Sequence, residues 1–79
     1  MRIDKFLKMN GIIKRRVVAK QAIEKGYVFR NKIRAKPSSE VEPGDLVSVR
    51  FFNRVLVVRV KEGFESEIVE ETRVESPRS

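Results

Sequence analysis

The run Val18-Ala19-Lys20-Gln21-Ala22-Ile23-Glu24-Lys25-Gly26-Tyr27-Val28-Phe29-Arg30-Asn31-Lys32-Ile33-Arg34-Ala35 changes its period at Gly26. Before that glycine, Val18, Ala19, Ala22 and Ile23 recur at the spacing of one helical face. After it, Tyr27 to Arg30 and Ile33 to Ala35 alternate with period two and read as two strands. Gly26 stands where a left-handed residue ends a helix. Asn31-Lys32 is the tight turn of a hairpin. Asn accepts positive φ readily, whereas Lys does so at a cost of about 1 kcal/mol relative to Gly.

Upstream, Ile3, Phe6 and Leu7 mark one face of a first helix, roughly Arg2 to Met9, with Asn10-Gly11 as its stop. Asp4 falls in its first turn, where a negative charge suits the helix dipole. The second helix is expected from about Lys14 to Lys25. The short connection predicts two helices packed side by side. Downstream, Pro37-Ser38-Ser39 is a loop and Pro43-Gly44 fits a type II turn. Leu46 to Phe51 is a third strand, with Val47, Val49 and Phe51 on one face. Phe52-Asn53-Arg54 is a turn, and Val55 to Val60 is a fourth strand. From Lys61 the chain turns acidic. Ile68 and Val69 are placed to dock a short helix or strand, and disorder is expected beyond about Arg73. The organisation read here is one domain over residues 1–60 and a partly disordered acidic extension over 61–79.

Residues 1–36 carry twelve Lys or Arg against two acids, Asp4 and Glu24, whereas residues 37–79 carry six against nine. The net charge of +7 is thus the difference between two opposed halves. A field so concentrated favours a polyanion, RNA above all. A 79-residue chain buries roughly 60% of its unfolded surface, which leaves no deep substrate cavity beside a thin core. Cys, His and Trp are absent, so disulfides, thiolate metal sites and the usual general base are excluded. We expect no metal, no cofactor, no small-molecule substrate and no enzymatic activity. No apolar run approaches the ~20 residues of a membrane span. The opening Met1-Arg2-Ile3-Asp4-Lys5 has no apolar stretch behind it and is not expected to be a signal peptide, which points to a cytoplasmic protein without a membrane partner.

The basic residues gather in two groups. Arg2, Lys5 and Lys8 follow one another at i+3 on the first helix, away from its apolar stripe. Arg16 and Lys20 are i, i+4 on the second, and Lys14 and Arg15 sit near its start, where free N–H groups also attract phosphate. An ordinary solvated face would interleave acids at i+4, and here there is almost none. On the hairpin, Arg30, Lys32, Arg34 and Lys36 alternate with Phe29, Ile33 and Ala35. Lysines on an edge hairpin also discourage aggregation, a role compatible with RNA binding. Asp4 lies among Arg2, Lys5 and Lys8 with no partner base, acid or metal, so it reads as a helix-start charge that orients Arg2 or Lys5. Most aromatics fall on inward faces; Tyr27 and Phe52 are the least settled. Aromatics interleaved with basic residues along one strand would mark single-strand stacking, and that pattern is poor. Recognition by shape and phosphate fits better.

Arg2-Ile3-Asp4-Lys5-Phe6-Leu7 resembles the opening motif of the RNA-binding domain family named after ribosomal protein S-four. Arg15 to Ala19 and Ile23-Glu24-Lys25-Gly26-Tyr27-Val28 resemble its second helix and first strand. Asn31 and Lys36-Pro37-Ser38 resemble its hairpin and loop, and Val41-Glu42-Pro43-Gly44-Asp45 its closing turn. The match runs in order from Arg2 to about Val60. It implies an α+β fold, with two N-terminal helices packed on a small antiparallel sheet with a basic hairpin, followed here by a short acidic tail. It implies RNA contacts at Arg2, Lys5, Lys14, Arg15, Arg16 and Lys20, with Lys32, Arg34 and Lys36 as a second line, and the basic face of the first helix adds Lys8 to the expected contacts. The chain departs from the family at Val17, where Ser or Thr is common, and at Lys32, where Gly is common. Similarity to the free-standing members implies binding to ribosomal RNA of the large ribosomal subunit and to tRNA, in rescue or quality control of stalled nascent chains. We expect a monomer off the ribosome. The rival reading is an RNA-linked adaptor that binds a protein through its acidic tail.

Overall fold

The computed structural model describes residues 1–73. Two helices, α1 (Ile3–Met9) and α2 (Arg16–Glu24), precede the strands β1 (Val28–Arg30), β2 (Ile33–Arg34), β3 (Leu46–Arg50), β4 (Arg54–Val60) and β5 (Ser66–Arg73), with a 3-10 turn at Glu62–Phe64. The strands form one antiparallel sheet in the order β2-β1-β3-β4-β5. Two helices on a small antiparallel sheet is the architecture the sequence predicts.

The core lies between the helices and one face of the sheet. Ile3, Phe6 and Leu7 of α1 and Ala19 and Ile23 of α2 are buried with Val28, Val47, Val49, Leu56, Val58 and Val60. The strand register explains that face. Val28 opposes Val49, Val49 opposes Leu56, and Val47 opposes Val58. Each such side chain taken out of water contributes roughly 1.5–3 kcal/mol, which a domain this small needs against its chain entropy.

Gly26 behaves as its position in the sequence predicts. Its φ is +83°, its N–H donates to the Ile23 carbonyl, and the Tyr27 N–H donates to the Ala22 carbonyl. Those two bonds are the Schellman closure of a helix. The hairpin turn also forms as expected, with Asn31 at φ 51° and Lys32 at φ 71°. Positive φ at both central residues is the type I′ turn that matches strand twist.

Several boundaries differ from the sequence reading, with β1, β2 and β3 each one residue shorter than expected. Helix α2 begins at Arg16 rather than Lys14, because the Ile12 and Ile13 N–H groups both donate to the Leu7 carbonyl and wrap the chain onto the end of α1. Lys14 and Arg15 then cross in extended backbone, with Arg15 at φ −119° and ψ 135°. Strand β4 starts at Arg54, one residue before the expected Val55. In the acidic extension, Ile68 and Val69 lie on a strand, one of the two elements expected there. Residues Ser66–Arg73 are the fifth strand of the sheet, so the folded unit continues past residue 60. The disorder expected beyond Arg73 falls outside the described residues. Among the described residues, no helix is long and apolar enough to cross a membrane, and no group of His, Cys, Asp or Glu could hold a metal ion.

Candidate nucleic-acid interface

The candidate interface is organised around a buried charge. Asp4, in the first turn of α1, has a fully buried side chain. Its Oδ1 accepts from the Lys5 backbone N–H at 2.8 Å and lies 3.4 Å from Arg16 Nη2. Its Oδ2 lies 3.2 Å from Arg16 Nε, too poorly aligned for a hydrogen bond, and Oδ1 lies 3.9 Å from Arg2 Nε. Burial alone pushes the carboxyl pKa up. The Arg16 contact, the Lys5 N–H and the charges of Arg16 and Arg2 outweigh it, so the net shift is downward. Asp4 therefore stays ionised and holds two guanidinium groups, each about half exposed, at the meeting of α1 and α2. Of the partners the sequence offered, Arg2 is borne out. Lys5 supplies only its backbone, and Arg16 was not foreseen.

The remaining predicted residues flank this centre. Lys5 and Lys8 project from α1, Lys14 and Arg15 from the linker and Lys20 from α2, all exposed and without an ion pair among the described residues. The first turn of α2 has no side-chain cap, which leaves backbone donors open beside Arg15 and Arg16.

The hairpin group divides. Lys32 stands exposed at the turn, and Lys36 is exposed beyond β2. Arg34 is partly committed, because its Nη2 donates to the Glu24 carbonyl at 2.8 Å. Its guanidinium also lies over Gly26, where an added Cβ would meet it at 3.0 Å. Arg34 thus ties the hairpin to the end of α2. Arg30, basic in the same alternation, is structural as well, since its Nε donates to Asp45 at 2.8 Å. Asp45 also accepts from Asn31 Nδ2 and the Glu42 N–H, and these bonds, together with Arg30, pull its pKa down against the upward push of burial. The two basic groups meet where Arg2 Nη2 donates to the Pro37 carbonyl at 3.0 Å, next to Lys36. Arg2 thus links the helix group to the loop that carries Lys36.

Comparison with known proteins gives this surface a context. The S4 domain family model matches residues 1–47. A Streptococcus pneumoniae protein named RQC P-site tRNA stabilizing factor is 45% identical over 85 residues, spanning 95% of this chain and 97% of that protein. A Bacillus subtilis protein of the same name is 47% identical over 62 residues, spanning 78% of this chain and 72% of that one. Among solved structures, the trimeric structure of Vibrio cholerae heat shock protein 15 superposes with a TM-score of 0.77 at 25% identity, covering 87% of this chain and 81% of that one.

Proposed function

Because the chain belongs to the S4 domain family, we propose that it is a non-enzymatic RNA-binding protein of ribosome quality control. Its partners in this reading are tRNA, as the names of its relatives indicate for them, and structured ribosomal RNA of the large subunit. It acts in the cytoplasm and is a monomer when off the ribosome. The observation that carries the proposal is the Asp4 centre. A buried carboxylate fixes Arg2 and Arg16 side by side amid five exposed cations, and preoriented guanidinium groups are suited to phosphate. Such a face recognises the shape and backbone of folded RNA, with Lys32 and Lys36 extending it along the hairpin.

Sedimentation of the tagged protein from cell lysate on a sucrose gradient, with sequencing of crosslinked RNA, tests this. Co-migration with free large subunits, with crosslinks to ribosomal RNA and tRNA, is the expected result. Migration at the top of the gradient with scattered crosslinks would overturn it.

One observation favours the adaptor as a second reading. Strand β5 is an open sheet edge on which Ile68 and Val69 are exposed between Glu67 and Glu70. Edges of this kind accept an added strand from a partner. Under this reading Glu67→Gln with Glu70→Gln releases the protein from ribosomes; under the first it does not.

A further inference from the structure

Tyr27 and Phe52 lie far apart in sequence, and the sheet brings them to one groove. The Arg50 N–H donates to the Tyr27 carbonyl at 2.8 Å, which sets the start of β1 beside the end of β3 and the turn that carries Phe52. With Ile12, Val18, Ala22 and Phe51 they line an open groove of about 910 Å³. Phe52 is 92% exposed, and Tyr27 and Val18 are 45% exposed. Lys14 and Arg50 line the same groove, both exposed and without an ion pair among the described residues.

Exposed apolar surface gathered in one place marks a binding site. The chemistry of the lining selects its occupant. The two exposed aromatic rings, Tyr27 and Phe52, call for a flat, stackable group, and two cations call for an anion attached to it. A nucleotide has both. The groove also continues the basic face, because Lys14 lines it and directly precedes Arg15 and Arg16. We propose that this groove takes an unstacked nucleobase of the bound RNA, stacked on Tyr27 and Phe52, with its phosphate at Lys14 and Arg50. The proposal rests on the RNA-binding reading and adds to it. The helix face would grip paired RNA by its backbone, and the groove would require an unpaired nucleotide beside it.

Tyr27 is the chain's single Tyr and Trp is absent, so tyrosine fluorescence reports on this groove alone. The probes are an RNA hairpin with a loop of unpaired nucleotides and a blunt RNA duplex with the same number of phosphates. The expected result is that the hairpin quenches Tyr27 and binds about ten-fold more tightly than the duplex. Phe52→Ala should remove that preference while leaving duplex affinity and melting temperature unchanged, since a side chain 92% exposed holds little of the fold together. Equal affinities and equal quenching, with Phe52→Ala silent, would overturn the proposal and leave the helix face standing. Binding of neither RNA would instead remove the RNA-binding reading, and the groove with it. A benzophenone side chain at position 52 adds an independent readout in cells. Crosslinks to RNA are expected, whereas crosslinks to protein would assign the groove to a protein partner.

Discussion

A carboxylate taken out of water costs several kcal/mol unless cations compensate it, and Asp4 has two. The arrangement is asymmetric. Loss of Asp4 would leave two half-exposed arginines that water can solvate, whereas loss of Arg16 would leave the buried acid with Arg2 and one N–H. Arg16→Ala is therefore expected to weaken RNA binding by roughly 1–3 kcal/mol and to lower the melting temperature as well. Asp4→Asn retains every interfacial cation, yet should still weaken binding about 3- to 10-fold in a fluorescence anisotropy titration, because Arg2 and Arg16 must then be ordered by the RNA itself. The removed negative charge pulls the other way, but solvent and salt screen that effect around half-exposed groups. Unchanged affinity would show that Asp4 positions nothing. Acid sensitivity follows from the same residue and from Asp45. Both folded-state pKa values lie below the ordinary 3.8, so the stability they contribute is complete above that range and is lost as pH falls through the lowered values. The melting temperature is expected to drop below about pH 4, and Asp4→Asn should flatten that drop in circular-dichroism melts. In the sequence, Asp4 is legible as a helix-start charge near Arg2. Its pairing with Arg16 is not, because it depends on how α1 and α2 cross.

The helix-to-hairpin transition was legible because Gly26 and Asn31 dictate backbone conformation locally. At Lys32 the turn overrides the residue's own preference and holds φ at 71°. Lys32→Gly should accordingly stabilise the protein by about 1 kcal/mol in chemical denaturation, while removing one cation from the hairpin. A loss of stability would mean that the Lys32 side chain makes compensating contacts. Strand β5 was harder to read. Ile68 and Val69 stand adjacent, which breaks the alternation that identifies a strand. The pairing supplies the reason: Val57 opposes Glu70 and Val58 opposes Ile68, so Val69 is the extra residue of a β-bulge. An acidic composition concealed an edge strand whose polar residues face water. Deleting residues 66–79 should therefore lower the melting temperature, because β4 would lose the backbone pairing of its neighbour from Arg54 to Val60. An unaltered melting temperature would show that β5 is dispensable. The sequence also hid the groove, since Tyr27 and Phe52 meet only once β1 pairs with β3.

Across the whole molecule, the division of charge along the chain becomes a division in space. The acids of β5 face the bases of β4: Arg59 opposes Glu67, and Arg54 Nη1 lies 2.6 Å from Glu71 Oε2. Within β4 and β5, Glu67, Glu70 and Glu71 offset Arg54, Arg59 and Arg73, so the excess positive charge lies on the helices and the hairpin. Under the proposed function the protein would bind by releasing counterions from RNA, and its affinity should record how many phosphates it neutralises. The direct test is the affinity of the protein for tRNA and for a large-subunit ribosomal RNA fragment, measured across a range of salt concentrations. Docking through about six phosphates predicts that log affinity falls against log salt with a slope of about −4 to −5, shallower by about one in Arg16→Ala. A slope near zero, or one that Arg16→Ala leaves unchanged, would contradict the account.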